Sequence, residues 1–275
     1  MTPLLIVDGH HLLYRSWHGF TERRIRSRDK TRDLTGVFGF LAILRKTHLE
    51  EAPGHEIIVA FDAENAAATR QSQDAAYKAS RPGADHTPIQ SLGMVKLGLD
   101  AVQVQWIELD GCEGDDLIAA LARSATASGR AVTCYSGDRD LFQLLGEQVT
   151  ILTPARRRIH CADVSARYGV TARQWPDYRA LTGDPADSIP GVPGIGPRTA
   201  ARLLVGGAHL EQLPGSDRLR APRCRAVLDH WQQVLTWRSM IRLDRPVPLP
   251  HGACTGTATG SMPRAAEILE ALSLW

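Results

Sequence analysis

Short apolar runs that end on acids constrain this chain more than any other feature. Leu4–Val7 runs into Asp8, and Ile57–Phe61 into Asp62. Ala131–Tyr135 is followed, after Ser136 and Gly137, by Asp138 and Asp140. With Val102–Ile107 and Val149–Leu152 these runs make five candidate strands, apolar and β-branched, as strands buried on both faces of a parallel sheet should be. Helical patterns near 35–50, 88–99, 115–128 and 139–145 lie between them. The alternation predicts an α/β fold, a parallel-rich sheet with helices on both faces. In open sheets of this kind the active crevice lies at the carboxyl ends of the strands.

Two further acidic groups join the strand-end aspartates. Glu113, Asp115 and Asp116 open the helix at 115–128, and Asp184 and Asp187 sit in TGDPADSIPG. Each group by itself has an ordinary structural use: a strand-end Asp caps the next helix, acids suit a helix start, and aspartates favour turns. All five groups at one sheet edge are better explained by a shared metal site. Nine acids in one crevice require positive charge among them, and a hard divalent cation such as Mg²⁺ or Mn²⁺ takes oxygen ligands. Two such ions about 4 Å apart supply what phosphodiester hydrolysis needs: an activated water, stabilised charge on phosphorus and help for the leaving oxygen.

Composition narrows the setting. The net charge of +2 hides an uneven distribution, with acids clustered in these segments and bases clustered elsewhere. That split suits metal in a pocket and a polyanion on the surrounding surface. The five cysteines form no C-x-x-C pair, which points to a reduced, cytoplasmic compartment. Leu4–Val7 is too short for a signal-peptide core, and the longest uncharged stretch, Pro246 to Pro263, is too rich in Pro, Gly and Thr to span a membrane.

Residues 21–33 are basic without apolar periodicity, and residues 63–87 are Ala-rich and polar and carry Arg70, Lys78 and Arg81. Both read as solvent-facing excursions from the scaffold, and an excursion of about 25 residues usually has a function. Beyond about 160 the strands stop. Residues 162–243 read as short helices, 247–262 as a loop and 264–272 as a last helix. The expected division is 1–160 and 161–275. The glycine-rich string GVPGIGPRTA at 191–200 lacks the Lys of a phosphate-binding P-loop and the third Gly of a dinucleotide fingerprint. It reads as a hairpin between two helices, the second starting at Pro197. Its outward amides, with Arg198 and Arg202 beside them, suit phosphate.

Together these residues resemble the bacterial 5′-nuclease family, the 5′-3′ exonuclease and flap endonuclease domain of DNA polymerase I and its stand-alone relatives. The matching strings are LLIVDGHHLLYRSWH, VAFDA, YKASR, GCEGDDLIAALA, SGDRDLFQLL and DYRALTGDPADSIPGVPGIGPRTAARLL, in the family's order across almost the whole chain. The resemblance implies a PIN-like three-layer α/β/α core. It also implies a helical arch at about 63–88 and a helical helix-three-turn-helix (helix-hairpin-helix) module around 191–199. It implies that Asp8, Asp62, Glu113 and Asp115 surround one divalent ion and that Asp115, Asp138, Asp140 and Asp187 surround a second. Asp116 and Asp184 then stand as outer ligands. Lys78 and Arg81 would clamp the scissile phosphate, Arg70 would steer phosphate, and Tyr77 would stack on a base. The run Arg23–Arg32, with Arg28 in it, matches the family's loop near the template strand. Gly194, Gly196, Arg198 and Thr199 would hold DNA, and backbone carbonyls at Val192 and Ile195 would hold K⁺. Ser188 stands where the family commonly has Asn. The partners implied are DNA with a 5′ flap or 5′ end and primer RNA in duplex, bound by a monomer near the nucleoid. A non-catalytic junction binder and a ribonuclease on the same scaffold are the rival functions.

Overall fold

A computed structural model describes residues 1–20, 24–66, 68–74, 77 and 87–275. Six strands form one sheet: β1 (Leu4–Asp8), β2 (Glu56–Ala60), β3 (Gln105–Ile107), β4 (Val132–Tyr135), β5 (Val149–Leu152) and β6 (Arg158–Ile159). Their order is β3-β2-β1-β4-β5-β6, all parallel except β6. The helices are α1 (Gly9–Gly19), α2 (Thr35–Glu51), α3 (Ala68–Gln73), α4 (Leu92–Ala101), α5 (Gly114–Ala127) and α6 (Cys161–Tyr168). They continue with α7 (Trp175–Thr182), α8 (Pro197–Leu203), α9 (Pro222–Asp229), α10 (Trp231–Ile241) and α11 (Ala265–Ala271).

Strand periodicity divides the core. Leu4 and Ile6 of β1 face one side, Leu5 and Val7 the other, and all four are fully buried. The first side packs on α5 through α10, for example Leu117, Trp175 and Val234. The second packs on α1, α2, α4 and α11, for example Leu13, Phe40 and Ile268. The fold is therefore an α/β/α sandwich with a helical C-terminal part. The chain crosses from one direction of strand order to the other between β1 and β4, which puts a crevice at their carboxyl ends.

Several elements depart from the pattern expected of them. The stretch Gly9–Gly19, where no helix was expected, is α1, started by Asp8, whose Oδ1 accepts the His11 amide at 2.9 Å. The expected strand from Val102 begins only at Gln105, because α4 runs on to Ala101 and Gln103 turns the chain at φ 56°. The segment at 139–145 is one short 3₁₀ turn, Asp140–Leu144. In the described part of the basic stretch, Ser27 N–H donates to the Arg32 carbonyl at 3.1 Å and Leu34 N–H to that of Ile25 at 2.7 Å. The Thr-rich loop after α10 is held at the far end of the sheet by buried Glu56. That carboxylate accepts from Thr255 N–H at 2.6 Å and pairs with Arg130 at 2.5 Å.

Candidate metal centre

The carboxyl ends of β1, β2 and β4, the start of α5 and the loop after α7 meet around a cavity of about 670 Å³. Asp8, Asp62, Glu113, Asp115, Asp138 and Asp184 line it. Asp8 ends β1, and its second oxygen accepts from Ser136 Oγ at 2.7 Å, so β4's loop is tied to β1's. Ser136 Oγ also accepts the Asp138 amide at 3.0 Å, and Asp138 Oδ1 accepts that of Asp140 at 2.8 Å. Between them, a Cβ at Gly137 would stand 2.5 Å from His11 Cε1, so any larger residue there would have to displace the His11 ring. Asp62 accepts the Gly114 amide at 2.5 Å, joining the end of β2 to the start of α5.

The loop after α7 brings Asp184 and Asp187. Gly183 and Gly191 cross at its neck with φ of 85° and 72°. A Cβ on Gly191 would lie 2.4 Å from the Gly183 nitrogen, so only glycine lets the strands of this loop pass so closely. Asp184 N–H donates to the Ile189 carbonyl at 2.7 Å and closes the loop. Asp140, Asp184 and Asp187 then bring one oxygen each within 4.8 Å of one another.

Among the described residues, Arg139 and Arg179 line the cavity with positive charge. Arg179 of α7 pairs with Asp184 and lies 3.7 Å from Asp140. Withdrawal from water raises the Asp8 carboxyl to about 7, against the hydrogen bonds from Ser136 and His11 and helped by Asp62 and Asp138. Burial, and then the charge of Asp138, lifts Asp140 well above the ordinary carboxylate range. Carboxylates held against ionisation by burial and by one another's charge, offering oxygen donors only, fit a hard divalent cation.

The expected residues divide as follows. Asp8, Asp62, Glu113, Asp115 and Asp138 share the cavity, and Asp140 and Asp187 adjoin it through Asp184. Asp184, expected as an outer ligand, brings an oxygen within 4.8 Å of those of Asp140 and Asp187. Asp116 is turned away from the cavity and lies 1% exposed against Arg70. Arg70 corrects the reading of it as a phosphate-steering residue. It is 9% exposed, its two terminal nitrogens donate to Asp116 at 3.1 and 2.9 Å, and it lies 2.9 Å from Glu113. Its Nε donates to the Met240 carbonyl of α10 at 2.8 Å. Burial opposes its charge, yet Glu113 and Asp116 raise the guanidinium above its ordinary pKa. Tyr77 likewise is 3% exposed and donates to Glu113 at 3.3 Å, instead of offering a face for stacking. Burial and the charges of Asp187 and Glu113 push its phenol up, which keeps it a donor. Lys78 and Arg81 lie outside the described residues.

At the hairpin, Gly196 precedes α8, whose first residue is Pro197. The Ile195 amide donates to the Val192 carbonyl at 3.0 Å, and both side chains are buried. The Thr199 amide donates to the Gly196 carbonyl, while the amides of Gly194, Gly196 and Arg198 donate to no described residue. Gly194, Gly196 and Arg198 are exposed and Thr199 half-buried. Arg28 is exposed in the turn that Asp29 organises by accepting from Ser27 and Thr31. All five cysteines are free. Among the described residues no helix is long and apolar enough to cross a membrane.

Sequence reasoning passed over His10, His11, Tyr14 and Arg179, which also line the cavity. The signal for the histidines was their place directly after Asp8, in the first turn of α1. His10 Nδ1 accepts the Asp62 amide at 3.0 Å, and burial lowers the pKa of both rings. A neutral His10 of that tautomer carries its proton on Nε2.

Comparison with known proteins agrees with this geometry. A family model for the 5′-3′ exonuclease N-terminal resolvase-like domain matches residues 3–169, and one for the 5′-3′ exonuclease C-terminal SAM fold matches 170–259. The chain is 36% identical over 261 residues to the thermostable DNA polymerase I of Thermus filiformis, and 39% over 253 residues to that of Thermus thermophilus. Each match covers 90% of this chain and 30% of the polymerase, so the chain spans about a third of their length. The T5 D15 protein co-crystallised with metal ions superposes with a TM-score of 0.72 at 18% identity, over 98% of both chains. With family models matched over residues 3–169 and 170–259, the chain belongs to the 5′-3′ exonuclease family.

Proposed function

We propose that the chain is a Mg²⁺- or Mn²⁺-dependent 5′ nuclease with two or more ions per site. It would cut single-stranded 5′ flaps near their junction with duplex DNA and remove nucleotides, primer RNA included, from 5′ ends. One observation carries this reading: six carboxylates from five separate segments line one cavity, and Asp140 and Asp187 adjoin it through Asp184. Asp8, Asp62, Glu113 and Asp115 would hold one ion; Asp115, Asp138, Asp140 and Asp187 would hold another, with Asp184 beside them. Asp116 would act from behind, through Arg70. When bound, such ions lower the pKa of water and neutralise charge developing on a phosphate.

The chain's own residues do the rest. Ser136 and the His11 amide fix Asp8, the Gly114 amide fixes Asp62, and Arg70 and Tyr77 fix Glu113. Ordered carboxylates cost little reorganisation during the reaction. By resemblance, Lys78 and Arg81 would stabilise charge on the scissile phosphate, and the products would carry 5′-phosphate and 3′-hydroxyl ends. Gly194, Gly196, Arg198 and Thr199 would grip the duplex backbone without reading bases, Arg28 would stand near the template strand, and K⁺ would sit on the carbonyls of Val192 and Ile195. The setting would be the cytoplasm, on nucleoid DNA, with the chain a monomer.

The test is cleavage of a 5′-labelled flap with Mg²⁺ or with chelator, for the wild type and for Asp138→Ala. Metal-dependent product from the wild type alone supports the reading. Tight junction binding with no product under any metal would leave a binding protein, and preference for an all-RNA flap would leave a ribonuclease.

A further inference from the structure

His10, the second residue of α1, lines the cavity beside the end of β2, and its ring is fixed there. The Asp62 amide donates to its Nδ1 at 3.0 Å, and buried Phe61 meets the ring in a T-shaped contact with centroids 5.8 Å apart. Asp62 Oδ2 stands farther from the same nitrogen, at 3.5 Å. An amide can only donate, so Nδ1 is the accepting nitrogen and Nε2 carries the proton. Glu108 and Lys96, the other charges near the ring, pair with each other at 2.6 Å. Nε2 has no hydrogen-bond partner among the described residues, and 18% of the side chain is open. The result is a neutral N–H of fixed direction in a wall rich in acceptors. Six carboxylates share that wall, and Arg179 is taken up by Asp184. Ionised carboxylates offer no proton to a phosphate. An anion seated among them needs donors that no protein acceptor already holds, and a donor held in place beforehand costs no reorganisation.

We infer that His10 is a further catalytic residue, whose Nε2–H donates to a non-bridging phosphate oxygen of the nucleic acid at the Asp62 end of the cavity. This rests on the nuclease reading and deepens it. It assigns a substrate contact to a neutral side chain that is neither a metal ligand nor part of the basic clamp.

The experiment sets His10→Asn against His10→Gln in the full chain. The Asn amide oxygen can still accept the Asp62 N–H near the place of Nδ1, but it leaves no donor where Nε2 stands. The Gln amide reaches that place with an N–H. With Mg²⁺ and a labelled 5′ flap, kcat/KM should fall about ten- to a hundredfold in His10→Asn, as for one lost hydrogen bond to a charged group. His10→Gln should recover most of that loss. A neutral donor releases no counterion, so the slope of log kcat/KM against log KCl should keep its wild-type value in both variants. Manganese affinity, read by electron paramagnetic resonance, should stay unchanged. In the wild type, nitrogen-15 spectra of the histidines should show His10 protonated on Nε2 and bare on Nδ1. Wild-type kcat/KM in His10→Asn with a defect in His10→Gln overturns the inference and leaves His10 a prop for the Asp62 amide. Equal losses in both variants, matched by equal falls in the urea midpoint, overturn it in favour of packing. Weakened manganese binding moves the donor to the ion's water, a slope reduced by about 0.9 makes the contact cationic, and a proton on Nδ1 removes the donor; each overturns it. Absence of any wild-type cleavage sinks the nuclease reading instead, while the nitrogen-15 spectra still report where the proton lies.

Discussion

Replacing Arg70 by Ala tests how α3 is joined to the metal centre. The guanidinium lies between Asp116 and Glu113, whose side chains are 1% and 4% exposed, and also binds the Met240 carbonyl. Removing one partner of a buried ion pair strands the other charge, at a cost of about 3–5 kcal/mol, and the Met240 carbonyl loses its donor for about 1 kcal/mol more. Arg70→Ala should therefore lower unfolding stability by about 4 kcal/mol near neutral pH, read from urea midpoints. Most of that loss comes from stranded Asp116, so adding Asp116→Asn to the variant should recover about 2 kcal/mol, a coupling visible in a double-mutant cycle. Arg70→Lys should recover less than half, since an ammonium cannot serve both carboxylates and the carbonyl with one planar fork. The salt slope of DNA binding should stay at the wild-type value. A stability change under about 1 kcal/mol, or strict additivity with Asp116→Asn, would refute the reasoning. A slope reduced by about 0.9 would return Arg70 to the phosphate.

Other outcomes follow from the same geometry. Asp115→Ala and Asp138→Ala should each remove cleavage by at least about two orders of magnitude while leaving flap affinity within about threefold, as expected when only the transition state loses its support. Gly191→Ala should destabilise the chain by about 2 kcal/mol or more and slow cleavage, because a Cβ at φ 72° meets the Gly183 backbone and displaces the loop of Asp184 and Asp187. Asp8 sets a pH dependence. Its folded pKa of about 7 exceeds the ordinary 3.8, so the folded state binds its proton more tightly than the unfolded one. Without metal, stability from this group is full below pH 4 and declines as pH rises to about 7, by up to about 4 kcal/mol. A divalent cation binds the ionised form, so melting temperatures taken with Mg²⁺ should show a smaller decline; equal declines with and without metal would contradict the assignment.

Much of the sheet was legible in the chain. β1, β2, β4 and β5 are buried on both faces, so they read as unbroken apolar runs, and the acids that follow them inherit the crevice from strand direction. Helix α1 was not legible, because Gly9 and three histidines blur its pattern. It depends on the Asp8 cap and on burial of Leu12, Leu13 and Trp17 against elements far away in sequence. β6 has two residues and exists only by pairing with β5. The acids could be placed by position, yet the direction of Arg70 and Tyr77 could not. Both lie in a polar, Ala-rich segment where no periodicity marks an inner face, and their burial is decided by Glu113, Asp116 and α10. Arg179 was hidden for a similar reason: it lies one turn before Gly183 in α7, and only the folded loop brings it to Asp184.

The account's central claim is that carboxylates from separate loops hold divalent ions at the carboxyl edge of the sheet. Anomalous diffraction from crystals grown with Mn²⁺ tests it most directly. The claim predicts peaks inside the cavity, one among Asp8, Asp62, Glu113 and Asp115 and one among Asp138, Asp140, Asp184 and Asp187. A cavity without anomalous density, with manganese bound only elsewhere on the surface, would contradict it.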